Sequence, residues 1–528
     1  VRILALTDLS LPETDGAMLV RRLTPIITAA ALCAAASHGT AGVTLDLAED
    51  PPPAILGSVP GEEFGYSLAA GDLDGDGQLE LVAGAPGHEV PAVGPNTGAV
   101  YVFSAASVVD TAGPLGARAA ARLVLTGTGA RSRFGQTLAV GDLNGDGVDD
   151  LVVGAPAAGG HDAIASGSVH VFLGRAGPDS AGGGAAADLT LVGGAAGDRL
   201  GSFLAIADID RDAANELIVS AYRARAPSGA RSGVIYIVPG AAVAEAEGEA
   251  VAGDLATTLV VGSRDDDGLR EVAVADVNGD GVAEVLVAAH FADGADEGEI
   301  DVGRIYTLPA NALTEGGAVA VAERATSVFS GRSPRGLLGS SMAAGDVDSD
   351  GIDDLIVSAP AARGEGVKLD AWGESFLVFG REAGFAWSND LPGESALSFR
   401  AASRWDLFGL PVIADDFNGD RNADIVFAAQ FADAPDGSRR RCGEVCLYWG
   451  SLRSVMDAKS GEAELADVTI VGGAEMESIG SALLAARLSG GRTPDLVIGA
   501  PEGRGGAEDS TGKLYVVPRE RLLARPSR

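Results

Sequence analysis

Large rings, imidazoles and thiols are all scarce in this chain. Aromatics make up 5% of its 528 residues, so the core must be filled by small and branched aliphatics in short strands; 46% hydrophobic content and 75 glycines fit that reading. Of three cysteines, Cys33 falls in an apolar leader, and only Cys442 and Cys446 follow it. In extended backbone their alpha carbons would stand roughly 13 Å apart, too far for a disulfide, so a bridge requires a turn at Gly443. No histidine is near them in sequence, which argues against a catalytic thiol. Basic residues are also short, 38 against 74 acids, and a formal charge of −36 excludes nucleic acid as a natural partner. Cations are favoured instead. Finally, nothing shows an apolar 3.6-residue period over ten or more residues, which excludes leucine-rich and helical repeats.

One apolar run is present, Leu23 to Ala36, following Arg21 and Arg22 and preceding small residues through Ala41. At about 14 residues it is short for a bilayer span and reads as a signal peptide. Residues 1–42 are therefore expected to be an over-extended start plus signal peptide, with initiation at Met18. A short linker over 43–53 follows, then a repeat domain over 54–518 and a tail over 519–528. The expected location is secreted, periplasmic or cell-surface, with no membrane span.

The repeat domain is one unit of about 70 residues copied seven times. Its first full copy reads as four strands: Phe64 to Ala70, Glu80 to Pro86, Gly98 to Phe103 and Arg122 to Thr126, termed a to d. Phe134, Leu200, Leu338, Phe408 and Ile479 open strand a in later copies, and Gly268-Leu269 is the poorest match. Four short strands per unit predict antiparallel blades around a channel. The seventh copy ends after strand c, Lys513 to Val517, whereas Ala54 to Ser58 is a d-like strand without a blade. Placing it on the last blade hides two edges and closes the ring. The fold class is thus all-β, a seven-bladed β-propeller with four-stranded antiparallel blades, closed by the N-terminal strand.

Between strands a and b lies an acidic nonapeptide, D-x-[DN]-x-D-G-x-x-[DE]. Side chains at positions 1, 3, 5 and 9 converge, position 7 adds a carbonyl, and glycine at position 6 allows the sharp turn. Oxygen ligands without His or Cys select calcium over zinc or copper. Five loops carry it: Asp72, Asp74, Asp76, Glu80; Asp142, Asn144, Asp146, Asp150; Asp276, Asn278, Asp280, Glu284; Asp346, Asp348, Asp350, Asp354; and Asp416, Asn418, Asp420, Asp424. The last has Arg421 in place of glycine. A sixth, Asp208, Asp210, Asp212, Glu216, keeps its acids but has Ala213 there. In the seventh copy Arg487, Ser489 and Gly491 replace the first three ligands and leave Asp495 alone. A single such loop is equally well an Asx-rich turn. Six in register favour metal, because the carboxylates would otherwise repel one another.

On Phe64-Gly65, Gly84-Ala-Pro86, Phe134-Gly135, Gly154-Ala-Pro156 and the loops between them, the chain resembles the FG-GAP repeat family and its best-known member, the integrin alpha propeller. The resemblance covers roughly residues 54 to 517. It implies calcium in the a–b loops of the lower face and ligand recognition by the upper face. Departures are Ala-Ala-His290, Ala-Ala-Gln430 and the lost seventh metal loop.

The upper loops, such as Gly87 to Thr97, Ala157 to Ser166, Phe291 to Asp301 and Ala361 to Trp372, are long and varied, as binding surfaces are. Trp372 and Trp405 form a stacking platform there or, more simply, each packs on its own loop. The expected role is a non-catalytic, calcium-stabilised adhesion or recognition module for a protein or glycan. The alternative is an enzyme on the same propeller, a polysaccharide lyase or phospholipase-related hydrolase. Catalysis needs convergent groups, and His88, His161, His170 and His290 fall in different blades, with His88, His161 and His290 on upper loops.

Overall fold

The computed structural model describes residues 42–523 except 110, 112, 160–164, 178–185, 210, 295–298, 363–372, 387, 392–395, 401–405, 451–465 and 504–509. The leader with Met18 and Cys33, and also Asp210, His161, Trp372 and Trp405, lie outside the described residues.

The described residues form seven sheets, each built on four antiparallel strands. In blade 1, strands a to d are Ser67–Gly71, Glu80–Ala85, Ala99–Ser104 and Leu123–Thr126. Strand b is fully buried, as are its counterparts Asp150–Ala155, Glu216–Ala221, Glu284–Ala289, Asp354–Ala359, Asp424–Ala429 and Asp495–Ala500. A strand covered on both faces should read as a continuous apolar run, and each of these does after its first acid. The seven strands a touch their neighbours in cyclic order, blade 7 touching blade 1, so the molecule is a seven-bladed β-propeller.

The N-terminal strand Ala54–Leu56 pairs antiparallel with the last strand c, Ala54 opposite Tyr515 and Leu56 opposite Lys513. Its neighbourhood holds more structure than a linker. Val43–Asp46 runs parallel to Val468–Val471, the strand d of blade 6. Four more sheets gain a fifth strand in the same way: Leu115–Gly116, Gly248–Val251, Gly317–Ala320 and Ser388–Leu391 each lie parallel on the d edge of the preceding blade. These outer strands belong to the c–d connection of the blade that donates them. Val43–Asp46 holds the equivalent place for blade 7, whose c–d connection is split between the chain ends. The expected four-stranded blades are therefore five-stranded in five cases. Short outer strands of this kind cover edges that would otherwise offer unpaired amides and carbonyls.

Blades are joined at one repeated contact. The glycine before strand c has φ near +80°, and its backbone meets the residue that opens the next blade, as in the bridges Gly98 to Phe134, Gly167 to Leu200 and Gly512 to Phe64. A β carbon on Gly512 would lie 2.3 Å from the Phe64 nitrogen. Gly443 is one of this set (φ +82°) and contacts Ile479, so its turn serves blade packing. Cys442 and Cys446 are buried and not joined in a disulfide, and burial pushes the Cys442 thiol up to about 11.

Candidate calcium loops and the opposite face

Antiparallel pairing places all a–b loops at one end of the ring and all b–c loops and d–a turns at the other. At the lower end the six acidic loops share one geometry. The position 1 carboxylate accepts the position 6 amide: Gly77, Gly147, Ala213, Gly281, Gly351 and Arg421 donate to Asp72, Asp142, Asp208, Asp276, Asp346 and Asp416 at 2.8–3.1 Å. The position 9 acid accepts the position 2 amide, as in Leu73 to Glu80 at 3.0 Å, Leu143 to Asp150 at 2.8 Å and Ile209 to Glu216 at 3.0 Å. The Val277, Val347 and Phe417 amides bind Glu284, Asp354 and Asp424 likewise. Position 6 is left-handed in every loop, including Ala213 (φ +70°) and Arg421 (φ +76°). The two departures from glycine thus keep the turn, at a strain cost of about 1–2 kcal/mol each.

Carboxylate oxygens of Asp72, Asp74 and Glu80 converge within 4.8 Å, as do those of Asp346, Asp348 and Asp350. In the second, fourth and sixth loops position 3 is Asn144, Asn278 or Asn418, whose Oδ1 accepts the amide of Asp146, Asp280 or Asp420 at 2.8–2.9 Å. In the third loop Asp208 and Asp212 each accept a backbone amide, Arg211 and Ala214. An all-oxygen set on a hairpin fixed by its own amides fits a hard divalent cation of calcium's size. The position 9 acids are buried, and that burial pushes Glu80, Glu284, Asp354 and Asp424 up to about 7 and Asp150 to about 6. Neighbouring loop acids add to the rise. In the seventh copy Asp495 instead accepts the amide and hydroxyl of Ser489, both at 2.8 Å.

Three features here escaped the sequence reading. Arg122, at the start of strand d, brings its guanidinium to Asp74 (2.5 Å) and Glu80 (3.1 Å), a tethered cation beside the first loop. Position 8 ties neighbouring loops: Asp149 accepts the Asp72 amide and donates its own to the Asp72 carbonyl, and Asp353 does the same with Asp276. The doubled acids Asp149-Asp150 and Asp353-Asp354 were the visible signal. On the upper face of four blades, a buried acid two residues before the residue that opens the blade caps the d–a turn. Glu62 takes the Val59 amide, Asp198 that of Ala195, Asp267 those of Ser263 and Arg264, and Glu477 that of Ala474. Strand c answers with a tyrosine: Tyr101 donates to Glu62 at 2.9 Å and Tyr515 to Glu477 at 2.6 Å. Aligning the repeats on Phe-Gly would have exposed that column.

The described histidines are held apart by their own blades. His88 Nδ1 lies 2.8 Å from Glu62, His170 lies between Ser168 and Thr190, and His290 packs on Phe291. Burial pushes His170 down to about 4 and His290 to about 3. No helix among the described residues is long and apolar enough to cross a membrane.

The FG-GAP repeat family matches this chain at residues 64–103, 134–172, 269–308 and 338–368, within blades 1, 2, 4 and 5. The chain is 39% identical over 117 residues to phosphatidylinositol-glycan-specific phospholipase D of Rattus norvegicus, 22% of this chain and 14% of that one. It is 38% identical over 117 residues to integrin alpha-PS5 of Drosophila melanogaster (22% and 10%) and 38% identical over 116 residues to integrin alpha-IIb of Mus musculus (21% and 10%). The match thus spans about a seventh or less of each relative's length.

Proposed function

We propose that the chain is a secreted FG-GAP propeller in which calcium braces the lower hairpins and the upper face recognises a protein or glycan without chemistry. The observation that carries this is the division of labour between the two ends. Six lower loops, at Asp72, Asp142, Asp208, Asp276, Asp346 and Asp416, repeat one hydrogen-bond pattern, whereas the upper b–c loops differ in length and sequence from blade to blade. A uniform end suits a structural ion, and a varied end on a rigid frame suits recognition. Asp72, Asp74, Asp76 and Glu80, and the equivalent side chains of the other loops, would hold the ion. It would supply charge neutralisation and a cross-link between strands a and b. At 100 times its dissociation constant each ion stabilises the fold by about 2.7 kcal/mol.

The similarity to a phospholipase D favours a second reading, a propeller attached to or contributing to hydrolysis. Against that, His88 is engaged by Glu62 within a turn cap. A glycan and protein array probed with and without calcium tests the first reading. Calcium-dependent capture of one ligand class supports it; turnover of a uronate polysaccharide or a phosphatidylinositol glycan supports the second instead.

A further inference from the structure

Three of the lower loops carry one tripeptide at positions 3 to 5: Asn144-Gly145-Asp146, Asn278-Gly279-Asp280 and Asn418-Gly419-Asp420. Asparagine before glycine is the pair most open to attack of a backbone nitrogen on a side-chain amide, because no β carbon hinders the approach. In each loop the reacting atoms already have partners suited to that step. The glycine amide donates to the position 1 carboxylate, Gly145 to Asp142 and Gly279 to Asp276 at 2.7 Å and Gly419 to Asp416 at 2.6 Å. The asparagine Oδ1 accepts the position 5 amide at 2.8–2.9 Å. The attacking nitrogen thus has a proton acceptor, and the carbonyl oxygen has a donor where negative charge would develop.

The loops differ in what holds the leaving nitrogen. Asn278 Nδ2 donates to Glu284 at 2.5 Å and Asn418 Nδ2 to Asp424 at 3.2 Å. Both acceptors are buried and fixed by backbone amides, Val277 on Glu284 and Phe417 with Gly450 on Asp424. Asn144 Nδ2 instead donates at 3.1 Å to Asp146, an exposed side chain of its own tripeptide. Its amide can turn toward the Gly145 nitrogen and carry Asp146 along, whereas the other two must leave an anchored acid. The first loop shows that an aspartate fits the place. There Asp74 Oδ1 accepts the Asp76 amide at 3.2 Å, and Gly75 has φ +70° against +73° for Gly145.

We propose that Asn144-Gly145 is a self-modifying site, at which Asn144 loses its amide nitrogen and becomes aspartate faster than Asn278 or Asn418. The Gly145 nitrogen bonds to Asn144 Cγ while its proton passes to Asp142. The Cγ–Nδ2 bond then breaks, that proton is delivered to Nδ2, and ammonia leaves behind a five-membered cyclic imide. Water opens the imide at one of its two carbonyls, giving aspartate or, with the chain routed through the side chain, iso-aspartate. Aspartate at 144 gives the second loop carboxylates at positions 1, 3, 5 and 9, the set that the loops at Asp72, Asp208 and Asp346 carry by sequence. The conversion depends on neither the calcium reading nor the recognition reading given above.

The test is peptide-mapping mass spectrometry of the full chain, incubated in calcium-free neutral buffer where circular dichroism shows it folded, and in parallel unfolded in urea. Unfolded, the three sites should convert at similar rates, because they share one tripeptide. Folded, Asn144 should convert roughly tenfold faster than Asn278 or Asn418, through better alignment of the reacting atoms. Asp142→Asn removes the proton acceptor and should slow conversion at Asn144 about tenfold or more. Gly145→Ala adds a β carbon with no neighbour within 4 Å, so the loop keeps its space, and hindered approach should slow conversion about tenfold. Equal rates at the three sites of the folded chain would overturn the proposal. So would no conversion at Asn144 over a period in which the unfolded chain converts, or a native rate in folded Asp142→Asn or Gly145→Ala.

Discussion

Phe64 and Gly512, far apart in sequence, form a parallel β-bridge that seals blade 7 against blade 1. The contact requires the left-handed backbone of Gly512 (φ +84°), with no room for a β carbon. Gly512→Val should therefore lower stability by at least about 2 kcal/mol in denaturant unfolding, through strain plus collision. Gly437→Ala has a similar φ of +70° but nothing within 4 Å, and should cost only about 1 kcal/mol.

Arg122 competes with metal at the first loop. Its guanidinium pairs with buried Asp74 and Glu80, so removing it leaves two carboxylates facing each other. Arg122→Gln should reduce stability in EDTA, where breaking a buried pair costs about 3 kcal/mol. Calorimetry should show tighter calcium binding at that site, by roughly tenfold. Equal affinity in both proteins would mean that Arg122 does not oppose the ion.

Without calcium, acidity should stabilise this protein. Burial raises Glu80, Glu284, Asp354 and Asp424 to about 7 and Asp150 to about 6, whereas in the unfolded chain such acids titrate near 4. The folded form then binds more protons between those values, so its stability is complete below about pH 4 and falls as pH rises through 6–7. Neutral His170 and His290 act in the opposite sense below about 6.5, but they are outnumbered. In EDTA the Tm should be higher at pH 5 than at pH 7.5. Excess calcium, which binds the ionised form, should shrink or reverse that difference.

Asp348→Ala with Asp350→Ala removes two of the converging acids of the fifth loop. In calcium the double variant should melt several degrees lower, while capture of whatever ligand the array identifies stays within twofold. Loss of capture at retained stability would place recognition on the lower face.

Strands and their order were legible because each strand b is a buried apolar run that follows an acid and ends, in blades 1, 2 and 7, in Gly-Ala-Pro, and each metal loop has a fixed spacing. The closing strand at Ala54 was legible because an unpaired strand preceded an incomplete last blade. The outer parallel strands were not. Gly248–Val251 and Gly317–Ala320 are four residues long and partly exposed, so neither alternation nor a turn signal marks them. Within the loops, Arg122 was invisible because it arrives from strand d, far along the chain. The acid at Glu62, Asp198, Asp267 and Glu477 lay just outside the Phe-Gly motif that drew attention.

Metal content is the most direct measure of the central claim. After dialysis against buffer with 1 mM calcium and rapid desalting, elemental analysis should find five or six calcium ions per folded chain, with EDTA removing them and lowering the Tm. A folded chain holding less than one ion, with a melt indifferent to EDTA, would contradict the account.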